Sequence, residues 1–74
     1  MDEEIPVFTK KMTGEEFNKE LLKNGPAPIF NENRKYFDKE DIDKDTIYCV
    51  SKYEFYRPFQ PVCYTYYRIK VLNN

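Results

Sequence analysis

The stretch that decides the fold is TIYCVSKYEFYRPFQPVCYTYYRIKVLNN, residues 46–74. It contains two runs rich in β-branched and aromatic residues, which are typical of strands. Between the runs lies RPFQP, residues 57–61, whose two prolines lack the N–H group that a central ladder position requires. Pro58 suits the second position of a β-turn. The stretch therefore predicts one long antiparallel β-hairpin.

Successive side chains of a strand point to opposite faces, so the register of the hairpin decides which residues share a face. We place Phe55 opposite Cys63. One face can then contribute to a core, and it collects Ile47, Cys49, Ser51, Tyr53, Phe55, Cys63, Thr65, Tyr67, Ile69 and Val71. The other face is aromatic and basic, and it collects Tyr48, Val50, Lys52, Glu54, Tyr56, Val62, Tyr64, Tyr66, Arg68 and Lys70. This second face is the best indication of function in the sequence.

A helix is predicted over residues 14–24, because both of its ends carry specific signals. Thr13 and Glu16 fit the capping box, in which each side chain bonds the backbone N–H of the other residue. Gly25 suits the positive φ that often follows a helix, and Pro26 cannot continue one. The helix should present an apolar stripe to the sheet.

The remaining segments give weaker signals. Residues 5–9 alternate in hydropathy and contain Pro6, which favours an edge strand. Residues 29–30, Ile-Phe, should return to the core. A short second helix is predicted with Asp38 as its N-cap and an end near Lys44.

Together these elements predict a small single α+β domain over residues 1–74, with one capped helix packed on an antiparallel sheet dominated by the C-terminal β-hairpin. A chain of 74 residues buries only about 60% of its unfolded surface. Seven tyrosines and six phenylalanines supply the large apolar area that such a core needs. The predicted core contains Phe17, Leu21, Phe30, Ile42, Ile47, Phe55, Tyr67, Ile69 and Val71.

Composition argues against a membrane protein and against a secreted one. Charged residues make up 34% of the chain, and no apolar run approaches the ~20 residues that span a bilayer. The acidic start MDEE does not resemble a secretory signal. In the chosen register Cys49 and Cys63 lie roughly 20 Å apart, which is beyond disulfide reach. We therefore expect a cytoplasmic protein with buried free thiols and no membrane partner.

Enzymatic chemistry finds little support. The chain has no histidine, which removes the commonest general base and the Cys-His and Ser-His pairs. Ser51 is the only serine, and it falls on the predicted core face. The acidic run from Asp41 to Asp45 resembles the start of a calcium loop, but Thr46 and Lys52 stand where that loop needs Gly and Glu. We expect no enzyme activity, no cofactor and no metal site.

Charge is distributed unevenly along the chain. Residues 1–45 carry eight basic and twelve acidic side chains, whereas residues 46–74 carry four and one. Tyrosine and arginine are enriched at protein interfaces, so the aromatic, basic hairpin face is our candidate partner-binding surface. Its candidate residues are Tyr48, Lys52, Tyr56, Tyr64, Tyr66, Arg68 and Lys70.

The leading hypothesis is a small non-enzymatic protein-binding module that inhibits or regulates a larger protein, as many small domains of phages and mobile elements do. One alternative is a protein that binds single-stranded nucleic acid or a nucleotide, with bases stacking on tyrosine rings. A second is a structural homodimer joined through an exposed strand edge. A third interpretation, without a binding role, is that the aromatic face is covered by the helix or by the segment 26–45, with the tyrosine hydroxyls reaching the edge.

Overall fold

The computed structural model describes residues 3–72, so the last residues of the predicted hairpin, 73 and 74, lie outside the described range. The elements are β1 (Glu3–Thr13), α1 (Gly14–Asn24), β2 (Ile29–Asn31), a 3-10 turn (Lys39–Asp41), β3 (Ile47–Tyr56) and β4 (Cys63–Leu72). They form one four-stranded sheet with the order β1-β3-β4-β2. β3 is antiparallel to β1 and β4, whereas β2 runs parallel to β4. The predicted α+β class is confirmed, with a mixed sheet in place of a purely antiparallel one.

The helix begins and ends at the predicted residues. The Thr13 hydroxyl accepts the Glu16 N–H at 3.2 Å, and the Glu16 carboxylate accepts the Thr13 N–H at 3.0 Å. Two other N–H groups of the first turn are also satisfied, because Gly14 donates to the Thr46 carbonyl at 2.9 Å and Glu15 donates to the Lys44 carbonyl at 3.3 Å. Gly25 ends the helix with a φ of 72°. The capping box is therefore confirmed, and it fixes where the chain turns from β1 into α1.

The core lies between α1 and one face of the sheet. Phe17 is fully buried, with its ring centroid 5.6 Å from that of Tyr67 and 6.4 Å from that of Tyr48. The buried apolar cluster consists of Met12, Phe17, Ile29, Tyr48, Val50, Tyr67 and Ile69. Burial of each large side chain contributes about 1.5–3 kcal/mol relative to its exposure. We call the side of the sheet under α1 the covered face.

The predicted register of the hairpin is wrong by one residue. Tyr56, and not Phe55, lies opposite Cys63. Because side chains alternate with a period of two, the shift exchanges the faces of β3 while β4 keeps its predicted facing. Tyr48 and Val50 therefore point into the core.

The predicted core changes accordingly. Phe17, Tyr67 and Ile69 are buried as expected, and Leu21 and Ile42 pack partly buried against the cluster. Four predicted core residues lie outside it: Phe30, Ile47, Phe55 and Val71. The first three point away from α1. Val71 is on the covered side but is half exposed near the chain end.

The contacts of Lys52 with α1 explain why the predicted register is wrong. The pattern assigns Lys52 to solvent, yet it lies on the covered face. Its Nζ is 3.5 Å from the Glu20 carboxylate and donates to the Asn24 side chain at 3.0 Å. Long lysine side chains can pack their methylene groups on apolar surface while the amine stays paired.

Two further expectations need correction or extension. β1 is an edge strand, as predicted, but it extends over eleven residues, with a register shift between Pro6 and Phe8. Asp38 caps a turn by accepting the Glu40 N–H at 2.9 Å, but that turn is a short 3-10 segment and not a helix to Lys44. No apolar stripe in this acidic segment offers a longer helix a packing surface.

Both cysteines are free, and the expectation that they are buried is wrong. Cys49 is half-buried and Cys63 is exposed. Cys49 points away from α1 because of the corrected register. Cys63 lies at the far end of the hairpin, beyond the part of the sheet that α1 covers.

Candidate binding face

The sheet face opposite α1 carries a cluster of rings and guanidinium groups. Four of the rings come from the hairpin, which aligns odd residues of β3 with even residues of β4. The fifth ring, Phe30, comes from β2. Its neighbour Ile29 is buried under α1, and adjacent side chains of a strand point to opposite faces, so Phe30 lies on the other side. We call this cluster the aromatic–arginine face; it consists of Phe30, Tyr53, Phe55, Arg57, Tyr64, Tyr66 and Arg68.

The rings of this face contact one another across three strands. Tyr53 and Tyr66 lie opposite each other in the ladder and stack, with centroids 5.1 Å apart and an interplanar angle of 16°. Phe30 meets Tyr66 edge-on at 5.9 Å and Tyr36 at 6.4 Å. Such pairs contribute about 0.5–1.5 kcal/mol beyond area burial. The rings are therefore held in place although none of the five is fully buried.

Each arginine of the face lies over one ring from each hairpin strand. The Arg68 guanidinium is 5.1 Å from the Tyr53 centroid and 5.7 Å from that of Tyr66. Arg57 makes the same arrangement at the end of the hairpin, 5.7 Å from Phe55 and 5.9 Å from Tyr64. Cation–π contact at exposed sites is worth about 0.5–1 kcal/mol. It restricts the guanidinium groups while leaving their N–H donors available.

A shallow concavity of about 400 Å³ lies on this face. Its lining residues are Phe30, Arg34, Phe55, Arg57, Tyr64, Tyr66 and Arg68. Three of these seven side chains are arginines, so the concavity is basic. Tyr64 is 49% exposed, and no helix of residues 3–72 packs over the rings.

The turn at the end of the hairpin adds an exposed ring in a costly conformation. Gln60 donates to the Arg57 carbonyl at 3.4 Å, and Pro58 occupies the predicted second position of this turn. Phe59 follows with a φ of 64° and is fully exposed. A positive φ is unfavourable for a bulky residue, and strain of this kind often accompanies a functional position.

The phenol of Tyr66 stays protonated at neutral pH. Partial burial, together with the neighbouring Glu4 carboxylate, raises the pKa of Tyr66 to about 12. The hydroxyl therefore stays a hydrogen-bond donor at pH values where an ordinary tyrosine begins to ionise. Glu4 lies opposite Phe55 in the β1–β3 pairing, on the same side of the sheet as this cluster.

Of the seven predicted partner-binding residues, four lie on the side away from α1. Tyr64, Tyr66 and Arg68 belong to the aromatic–arginine face. Lys70 points to the same side but lies opposite Cys49, outside the ring cluster. These four share one side of the sheet because β4 keeps its predicted facing.

The other three predicted residues lie on the α1 side, because the register is shifted. Tyr48 is 3% exposed, and its hydroxyl accepts the Asp43 N–H at 3.0 Å. Lys52 is paired with Glu20. Tyr56 lies at the end of β3, where hydrogen bonds with Cys63 and then Glu54 raise its pKa to about 12. These three side chains do not share a surface with Tyr64 and Tyr66.

Four residues of this face were not predicted from the sequence: Phe30, Tyr53, Phe55 and Arg57. A hairpin loop counted one residue shorter would have placed Tyr53 and Phe55 beside Tyr64 and Tyr66. Phe30 could have been found from Ile29, because adjacent residues of a strand point to opposite faces.

Comparison with known proteins gives no guide to function: no family model, no curated protein and no solved structure matches this chain. Within residues 3–72, the single α-helix is too short and too polar to cross a membrane. The geometry of the face is therefore the basis for a functional proposal.

Proposed function

We propose that this protein is a non-enzymatic protein-binding module that inhibits or regulates a larger protein through the aromatic–arginine face. The observation that carries the proposal is the pairing of each arginine with rings from both hairpin strands. Tyrosine and arginine dominate interface hot spots, since they combine large contact area with directed hydrogen bonds.

Pre-organisation supports this function. The rings of Tyr53 and Tyr66 are already stacked, and the guanidinium groups already lie over the rings. A partner therefore has fewer side-chain rotamers to immobilise, which otherwise costs about 0.5–1.5 kcal/mol per side chain. The basic concavity favours a partner surface that carries carboxylates.

Single-stranded nucleic acid is the second candidate, and the open sheet with tyrosine and arginine side chains favours it. Two observations make it weaker than a protein partner. The faces of Tyr53 and Tyr66 that a base would stack on are partly occupied by each other and by Arg68. The chain also has a net charge of −1, which disfavours strong phosphate binding.

The experiment is affinity capture from a lysate, run with and without nuclease treatment, with the wild type beside two variants. The test variant combines Tyr64→Ala, Tyr66→Ala and Arg68→Ala. The matched control is Tyr56→Ala, which removes a comparably exposed tyrosine from the other side of the hairpin. Circular dichroism establishes that all three proteins are folded.

We expect wild type and control to retain a partner that the test variant loses. Each hot-spot truncation typically costs about 2 kcal/mol or more, which is roughly a thirtyfold loss of affinity. Equal capture by all folded proteins would contradict the proposal. Loss of all retained material on nuclease treatment, with binding that weakens steeply as salt rises, would select the nucleic-acid candidate instead.

A further inference from the structure

The hairpin strand β4 has a section of edge without a neighbouring strand. In the sheet order, β4 lies between β3 and β2. β2 is only three residues long and pairs with β4 from Tyr67 to Ile69. Within residues 3–72, the edge of β4 from Cys63 to Tyr66 therefore lacks a paired strand.

Backbone hydrogen bonds show which groups of this edge point outward. Tyr67 donates its N–H to the Pro28 carbonyl at 3.0 Å, so its backbone groups face away from β3. Outward and inward positions alternate along an antiparallel strand. The N–H and C=O groups of Thr65 and Cys63 therefore also point outward, toward the open section of edge.

The other long edge of the sheet is protected against strand pairing. β1 carries Pro6, a register shift beside it and four charged residues, which are Glu3, Glu4, Lys10 and Lys11. Proline, bulges and charge are the features that discourage added strands. The sequence Cys-Tyr-Thr-Tyr at residues 63–66 has none of them, and its tyrosines and threonine favour strands.

The charge around this edge indicates what would pair with it. Alternate side chains of an added strand would lie beside Tyr64 and Tyr66, at the basic concavity lined by Arg34, Arg57 and Arg68. Carboxylates suit that position because arginine binds them with two parallel hydrogen bonds. A second copy of this chain would instead bring its own arginines toward these three, which is unfavourable.

We infer that the edge from Cys63 to Tyr66 binds an extended acidic segment of the partner protein as a fifth strand of the sheet. Main-chain hydrogen bonds to Thr65 and Cys63 hold the segment, and alternate carboxylates contact the arginines of the aromatic–arginine face. The inference rests on the proposed function, because it specifies how the same face recognises its partner.

The test uses synthetic heptapeptides that alternate glutamate and valine, with blocked ends, and leaves the protein unchanged. Two versions carry backbone N-methyl groups, one on every valine and the other on every glutamate. N-methylation removes the N–H donor and keeps every side chain. A fourth peptide has lysine in place of glutamate. Binding and the exchange rate of the Thr65 amide are measured by NMR titration.

We expect the unmethylated acidic peptide to bind and to slow exchange of the Thr65 amide about tenfold or more. One of the two methylated peptides should lose binding and the other should keep it, because only every second residue of an added strand points its N–H to the neighbour. Loss with methylated valine indicates an antiparallel addition, and loss with methylated glutamate a parallel one. The lysine peptide should not bind.

Equal binding by both methylated peptides would overturn strand addition, as would unchanged exchange at Thr65 or no binding at millimolar peptide. Self-association of the free protein with protection of Thr65 would also overturn it, in favour of a second copy as the occupant. Failure of strand addition can be distinguished from failure of the proposed function. If only strand addition fails, capture of the partner still depends on Tyr64, Tyr66 and Arg68. If the proposed function fails, capture does not depend on them.

Discussion

The two faces of this sheet are built from similar residues but differ in burial. The covered face contains Tyr48 and Tyr67, both at most 3% exposed and both packed on Phe17. The opposite face contains Tyr53 and Tyr66, which stack on each other and stay partly accessible. Aromatic content therefore does not distinguish a core face from an open face; the position of the helix does.

Helix length explains why only part of the sheet is covered. The eleven residues of α1 extend for about 16 Å, whereas ten-residue strands such as β3 and β4 extend for about 34 Å. The helix packs on the half of the hairpin near Tyr48 and Tyr67. The far half, with Arg57 and Tyr64, projects beyond it, which leaves room for a partner.

The largest expected effect compares one phenylalanine from each face. Phe17→Ala should lower the free energy of unfolding by about 3–5 kcal/mol, because it leaves a large cavity in the core. Phe55→Ala should cost about 1 kcal/mol, since its ring is partly exposed. Denaturant unfolding of both variants measures the difference. Equal losses would mean that the two faces are buried alike.

A second prediction concerns the close packing above the start of α1. Gly14→Ala should destabilise the protein by about 1–3 kcal/mol, because a Cβ there would overlap the Asp43 carbonyl oxygen and the Asp43 and Lys44 backbone. Gly25→Ala is the matched control: its Cβ meets nothing within 4 Å, but its φ of +72° disfavours alanine. Its cost should be about 1 kcal/mol. A stabilising Gly14→Ala substitution would show that the segment 43–46 does not pack closely against the start of the helix.

A third prediction compares the hydroxyl groups of adjacent tyrosines. Tyr67 donates to the Glu20 carboxylate at 3.2 Å and accepts from Asn24 at 3.0 Å. Tyr67→Phe should cost about 1–2 kcal/mol, because partners in a partly buried network lose a hydrogen bond. Tyr66→Phe on the other face should stay within about 0.5 kcal/mol. A larger loss at Tyr66 would reverse the assignment of the faces.

The same tyrosine predicts a pH dependence. Burial, followed by the Glu20 carboxylate, raises the pKa of Tyr67 from 10.0 to about 12. The folded state therefore holds this proton more tightly than the unfolded chain, so the stabilisation is complete below pH 10 and is lost as pH rises toward 12. Unfolding measured across this range should show a smaller decline for Tyr67→Phe than for the wild type. An identical decline would place the titrating group elsewhere.

The smallest expected effect is at the helix cap. Thr13→Ala should cost about 1 kcal/mol by removing the acceptor for the Glu16 N–H. The hydrogen bond from the Thr13 backbone lowers the pKa of Glu16 below its ordinary value of 4.5. The stabilisation by the Glu16 carboxylate is therefore present above pH 4.5 and is lost as the pH falls through the lowered pKa. Glu16→Gln should flatten the acid limb of the stability profile. No change in that limb would show that the Glu16 carboxylate adds nothing to the folded state.

Local signals predicted α1 to the residue, because a capping box and a following Gly-Pro pair act within a few positions of the chain. The hairpin and the turn at Pro58 were predicted for the same reason. Register could not be derived in this way. It depends on the loop length between Tyr56 and Cys63 and on the pairing of Lys52 with Glu20, which is a tertiary contact.

The candidate face was therefore predicted only in part. Tyr64, Tyr66 and Arg68 were found because their strand kept its facing, whereas Tyr48 was assigned to the wrong side. The parallel strand β2 was also missed, since its three residues carry no periodic pattern of their own. Its contribution, Phe30, joins the face only through packing on Tyr66.

The most direct test of this account is the register of the hairpin, read from nuclear Overhauser effects between α protons of β3 and β4. Opposed residues of a non-hydrogen-bonded pair have Cα atoms about 4.5 Å apart and give strong α-proton contacts. The account predicts such contacts for Glu54 with Thr65 and for Lys52 with Tyr67. A strong contact between Glu54 and Tyr64 would contradict it, because Tyr53 and Phe55 would then point to the same side as Tyr67.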